Sequence, residues 1–87
     1  MATDDGEHRH ADEDEAAVLA RLGRAVRERR AELGISQEAL AERSGHHRNF
    51  VGRVERGEQN VSVLGLVRIA AALGCPVGDL VADAVGE

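Results

Sequence analysis

At 87 residues the chain has room for one small domain, whose core is marginal unless it is well packed or pairs with a second copy. Its single cysteine, Cys75, excludes an internal disulfide framework and a multi-cysteine zinc site, which suits a reducing compartment. No apolar run approaches the roughly 20 residues that span a bilayer, and no signal-peptide pattern opens the chain, so no membrane partner and a cytoplasmic location are expected.

The formal net charge of −5 is unevenly placed. Asp4, Asp5, Glu7, Asp12, Glu13, Asp14 and Glu15 face only Arg9 at the start, whereas residues 16–87 hold ten arginines and nine acids. Residues 1–14 are therefore expected to form an acidic, disordered arm ahead of a domain over 15–87. The arm is a solubilising tail, or a competitor for a basic face elsewhere. His8 and His10 do not make a metal motif, and no metal or other cofactor is expected.

The first helix is expected from Asp14 or Glu15 to Leu33, with acids at its N-terminal end and Gly34 as its stop. Its apolar stripe is Val18, Leu19, Leu22, Val26 and Leu33, and Arg21, Arg24 and Arg27 drift around the solvent side. Ser36 is a good N-cap for a second helix opening at Gln37, with Ile35 and Leu40 as a hydrophobic staple. Ala39 and Ala41 are small enough to let another helix approach, and Gly45 supplies the turn. A third helix starts near His47, a weaker cap than serine, and ends at Gly57. Phe50, Val51 and Val54 make its apolar face, while Arg48, Asn49, Gly52, Arg53 and Arg56 lie on or beside the others. Gly52 costs about 1 kcal/mol relative to alanine in a helix, so it needs a tertiary reason, either close approach to a ligand or crowding by another helix. His46 reads as a packed neutral histidine. Ser62 caps a fourth helix with a broad apolar surface from Leu64, Leu66, Val67, Ile69, Ala70 and Leu73, ended by Gly74. Pro76 opens a short fifth helix, Val77 to about Ala82, carrying Leu80 and Val81. Cys75 reads as an inert thiol.

Two helices around a short glycine turn make a helix-turn-helix, whose second helix presents its first residues to base edges. Over residues 19–82, LGRAVRERRAELGISQEALAERSG, VERGEQN and IAAALGCPVGDL resemble the phage-repressor and Cro-type helix-turn-helix domains, also called the xenobiotic-response-element family. The resemblance implies an all-α, compact five-helix, lambda-repressor-like fold that binds double-stranded DNA, without enzymatic activity. It implies Arg30 paired with Glu55 as a structural ion pair, and contacts to the DNA backbone from Ser36, Gln37 and His47 and from the loop residues Gln59 and Asn60. Ser36 serves at least equally as a cap. Arginine matches guanine O6 and N7, and asparagine matches adenine N6 and N7, so Arg48, Asn49 and Arg53 are the expected base readers. Family members of this size pair through their last helices, which implies a homodimer on a near-palindromic operator and the role of a transcriptional regulator, most simply a repressor, associated with the nucleoid. The alternative is a protein-interaction module of antitoxin-like or sigma/anti-sigma type.

Overall fold

The computed structural model describes the backbone of residues 2–86 and the side chains of residues 14–86. Five helices follow one another: α1 (Ala2–Leu33), α2 (Gln37–Ser44), α3 (Arg48–Glu55), α4 (Val63–Leu73) and α5 (Val77–Val85). There is no strand among the described residues, so the all-α, five-helix expectation is met. α1 extends N-terminal to the expected start at Asp14 or Glu15. The side chains of the proposed acidic arm lie, apart from Asp14, outside the described residues.

Local chemistry explains the boundaries of the central elements. Ser36 Oγ accepts from the Ala39 N–H at 3.0 Å, closing the first turn of α2. At the other end Gly45 adopts φ 75°, a left-handed conformation that lets the His46 N–H return to the Ala41 carbonyl at 2.8 Å. The chain then enters α3 through His47, whose Nδ1 accepts from the Asn49 N–H at 3.1 Å. Histidine thus performs the capping job that serine performs for α2 and, through Ser62, for α4.

One core joins all five helices. Leu22, Ala25 and Val26 come from α1, Leu40 and Ala41 from α2, Val51 and Val54 from α3, Ile69, Ala70 and Leu73 from α4, and Leu80 and Ala84 from α5. Leu40, Ile69, Leu80, Val26, Val51 and Val54 are fully enclosed, and burial of each side chain of this size contributes about 1.5 to 3 kcal/mol. Ala41 is a small buried residue of α2, which packs against both α3 and α4. Not every expected core position is inside. Leu33 stands beyond the end of the packed part of α1, and α4 turns its Gly65, Ile69, Ala70 and Leu73 face inward. Leu64 and Val67 consequently point outward, with Val63 beside them, 61%, 42% and 80% exposed respectively.

α5 is tied to α1 by polar contacts as well. Arg21 Nε donates to the Ala84 carbonyl at 2.8 Å, near the C-terminal end of α5, and Arg29 Nη2 donates to Asp83 Oδ2 at 3.2 Å. Arg21 is therefore partly buried and capping a neighbouring helix, which corrects its placement on the solvent side. The cationic group meets the negative end of the α5 dipole there.

His46 is held between α2 and α3. Ser44 Oγ uses its hydrogen on the Leu40 carbonyl at 2.8 Å, so His46 Nδ1, 3.0 Å from that oxygen, is the donor of the pair. The imidazole stacks on Phe50 with centroids 4.5 Å apart and planes at 20°. Burial lowers its pKa, and the Arg68 charge lowers it further. Because the folded state favours the neutral ring, the unfolded chain binds the proton more readily. Stability is expected to be fully present above the unfolded value of about 6.5 and to be lost as pH falls through the lower folded value. Urea unfolding at pH 7.5 and 5.5 should show this slope, and His46→Gln should reduce it.

Candidate nucleic-acid interface

α3 divides cleanly into two faces. Val51, Val54 and Glu55 are buried, while Arg48, Asn49, Arg53 and Arg56 are exposed. With Gln37 from the start of α2, the four exposed residues and Gly52 line one shallow surface depression. Three guanidinium groups and two side-chain amides meet there, a donor-rich set suited to phosphate oxygens and to the acceptor edges of purines.

The expected base readers occupy this face with different degrees of freedom. Arg48 Nη1 donates to Glu38 Oε2 at 2.9 Å, both side chains being well exposed; such a surface pair contributes only about 0 to 1 kcal/mol and releases readily. The Asn49 side chain makes no hydrogen bond among the described residues, whereas its N–H serves the His47 cap. Arg53 Nε donates to Gln59 Oε1 at 3.1 Å.

The expected backbone-contacting residues divide. Ser36 caps α2 and His47 caps α3, both exposed at the same edge, and Asn60 is exposed in the loop after α3. Gln37 is exposed at the first turn of α2 and is shared between the surface and the interior. Its Nε2 gives one N–H to Glu55 Oε1 at 2.9 Å, and the second N–H of the amide is not engaged by that bond. Gln59 likewise turns to Arg53 and to the Asn60 carbonyl.

Arg56 is the residue that sequence reasoning left out of the contact set. Its Nε donates to Glu58 Oε1 at 3.1 Å, and its Nη1 lies beside Gly52, 3.3 Å from where a Cβ would sit. The spacing 48, 52, 56, two successive i, i+4 steps on one helical row, is the signal that could have found it.

Beneath the exposed row, Glu55 organises three helices. Its Oε2 accepts from Arg30 Nε in a bond of 2.6 Å, and its Oε1 accepts from Arg30 Nη2 at 3.0 Å and from Gln37 Nε2 at 2.9 Å. Arg27 Nε stands 4.0 Å from Oε1, and Arg30 Nη1 additionally donates to the Ile35 carbonyl at 2.9 Å. The Glu55 side chain is 1% exposed. Burial alone would raise its pKa, but the Arg30 and Gln37 hydrogen bonds, with the charges of Arg30 and Arg27, outweigh burial and hold the carboxyl below its ordinary value. The bidentate geometry fixes α3 against α1, so the exposed row is presented from a rigid support.

No cluster of three metal-ligating side chains occurs among the described residues. No single helix among them is long and apolar enough to cross a membrane. A family model described as Helix-turn-helix matches residues 26–80. The chain belongs to this helix-turn-helix family. The match runs from the later part of α1 through α2, α3 and α4 into α5, and bears out the xenobiotic-response-element resemblance drawn from the motif. The family is one of DNA-binding transcription regulators. Among its members, the control protein C.SmaI of Serratia marcescens is 46% identical over 59 residues, covering 68% of this chain and 70% of that protein. The crystal structure of the restriction-modification controller protein C.AhdI from Aeromonas hydrophila superposes with a TM-score of 0.70 at 44% identity, covering 71% of this chain and 94% of that one. The clp gene regulator ClgR from C. glutamicum gives a TM-score of 0.73 at 35% identity, covering 79% and 90%.

Proposed function

We propose that the chain binds duplex DNA sequence-specifically as a homodimer and represses transcription from an operator overlapping a promoter. The observation that carries the reading is the exposed row of α3, where Arg48, Asn49 and Arg53, with Arg56 beside them, project from a helix pinned by the Arg30–Glu55 pair. Arg48, Asn49 and Arg53 read base edges; Ser36, Gln37, His47 and Asn60 meet the backbone. The C-terminal helices supply the subunit contact. Val63, Leu64 and Val67 on α4 and Val81 and Val85 on α5 are exposed apolar side chains that a second copy would cover. Two α3 helices one turn of DNA apart, about 34 Å, then imply a two-fold operator. The regulator's work needs no cofactor and no catalysis, and its place is with the nucleoid in the cytoplasm.

Fluorescence anisotropy on duplexes from the protein's own upstream region, across a range of salt, tests this directly. A specific complex of two chains per duplex is expected. Arg48→Ala and Arg53→Ala should each lose about 1 to 3 kcal/mol and relax base preference, while Gln37→Ala should act on all sequences alike. Unchanged affinity and preference in both arginine variants would remove the reader assignment. Absence of any DNA complex, with retained self-association through α4 and α5, would favour an antitoxin-like or sigma-type protein-interaction module instead.

A further inference from the structure

The loop after α3 returns to one residue of the recognition helix and holds it twice. The Glu58 N–H donates to the Arg53 carbonyl at 2.9 Å, and one residue later Gln59 Oε1 accepts from Arg53 Nε at 3.1 Å. Gln59 Nε2 in turn donates to the Asn60 carbonyl at 3.0 Å. Both ends of the Gln59 amide are thus engaged within the chain. Gln59 is half-buried, while Glu58 and Asn60 on either side stand exposed. The loop also has an anchor, since Gly57 at φ 74° lies directly against the backbone of Ala20, where a Cβ would come within 3.0 Å of its Cα.

A guanidinium carries one N–H on Nε and two on each terminal nitrogen. With Nε held, Nη1 and Nη2 of Arg53 remain as an outward fork, the pair that matches O6 and N7 of guanine. Arg48 differs, because one of its terminal nitrogens, Nη1, is the one engaged by Glu38. To make the same fork Arg48 must first leave its carboxylate. Arg53 is already oriented, and an arginine held in one geometry surrenders less freedom on binding.

The geometry points to Gln59 as a positioning residue that sets Arg53 end-on to a guanine, rather than as a contact to the DNA backbone. This rests on the reading of Arg53 as a base-contacting side chain. With Oε1 accepting from Arg53 Nε and one N–H given to the Asn60 carbonyl, Gln59 keeps only its second N–H for a phosphate, a contact that would not act through Arg53, so the two roles have separable consequences.

Duplexes selected by the wild-type protein from a random-sequence pool serve as the probe, and the selection is repeated with Arg53→Ala, Gln59→Ala, Gln59→Glu and the Arg53→Ala/Gln59→Ala double variant. Arg53→Ala is expected to lose a guanine preference at one position of each half-site. Gln59→Ala should blur that same position and weaken binding to the wild-type-selected duplex about threefold to tenfold. Adding Gln59→Ala to Arg53→Ala should cost nothing more. Gln59→Glu, whose carboxylate still accepts from Nε, should keep the guanine preference. Additive losses in the double variant, or a loss at a different position, overturn the positioning role and make Gln59 a DNA contact in its own right. Wild-type behaviour of Gln59→Ala overturns it too. A wild-type protein that enriches no sequence overturns the DNA-reading role and this inference together, whereas enrichment with additive losses overturns this inference alone. Thermal unfolding midpoints of the variants should match the wild type, which separates the effect from misfolding.

Discussion

Arg30→Ala is expected to cost about 3 to 5 kcal/mol of folding stability at pH 7, the range for removing one partner of a buried pair. The reason lies in what is left behind. Glu55, 1% exposed, would keep only the Gln37 N–H at 2.9 Å and a distant Arg27 at 4.0 Å. The bond from Arg30 Nη1 to the Ile35 carbonyl, which secures the connection between α1 and α2, would be lost as well. An ordinary surface pair such as Arg48–Glu38, with 64% and 68% exposure, gives the contrast, because water replaces either partner at little cost.

The pH dependence identifies the origin of that loss. In the wild type the Glu55 carboxyl is held below its ordinary value of about 4.5, despite its burial, by Arg30 and Gln37. Its contribution is therefore present above the unfolded pKa and lost as pH falls through the lower folded value. Without Arg30 only the Gln37 hydrogen bond and the Arg27 charge oppose burial, and the folded pKa is expected to rise above the unfolded one. In that variant the folded state takes up the proton first, so acidification relieves the buried charge. The gap between variant and wild type, measured by urea unfolding, should narrow between pH 7 and pH 5. An equal gap at both values would assign the cost to lost packing of the arginine stem instead.

The caps and turns are legible in the sequence because they are short-range. Ser36, Gly45, Ser62 and Gly74 each act within a few residues of themselves, and each sits at the end of the helix it was expected to bound. The Arg30–Glu55 pair spans 25 residues and is reached only through the family resemblance. The ties from α1 to α5, Arg21 to Ala84 and Arg29 to Asp83, span 63 and 54 residues and leave no local mark. Periodicity also fails where a helix is apolar on more than one side. Val63, Leu64, Leu66, Val67, Ile69, Ala70 and Leu73 offer α4 several possible inner faces, and only packing against α2, α5 and α1 selects the one with Gly65 and Ile69. On the exposed row of α3, residue type marks Arg48, Asn49 and Arg53. The bond from Gln37 to Glu55 and the tie from Gln59 to Arg53 depend on where the neighbouring elements end, which residue type does not encode.

Gly23 sits in mid-helix, where propensity alone would make alanine better by about 1 kcal/mol. Gly23→Ala is nevertheless expected to destabilise the fold by about 3 kcal/mol. A Cβ at this position would collide with the Val54 carbonyl oxygen and lie 2.6 Å from the Glu55 carbonyl oxygen. Both obstacles are main-chain atoms at the end of α3, and no side-chain rotation removes them. α1 would have to move away from α3, loosening Leu22 and Val26 from Val51 and Val54 and disturbing the bidentate Arg30–Glu55 geometry at the same crossing. Gly52 provides the internal comparison. Its Cβ would meet Arg56 Nη1 at 3.3 Å and Gln37 Oε1 at 3.6 Å, the ends of long side chains that can shift. Backbone crowding by another helix is therefore not why residue 52 lacks a side chain, and Gly52→Ala should be neutral or more stable by up to about 1 kcal/mol. The two substitutions are chemically identical and both lie in helices, so thermal unfolding midpoints that move in opposite directions would isolate the crossing of α1 over α3 as the cause. A Gly23→Ala protein stabilised to the same degree as Gly52→Ala would mean that the two helices separate at no cost, and the rigid support assigned to α3 would have to come from the core alone.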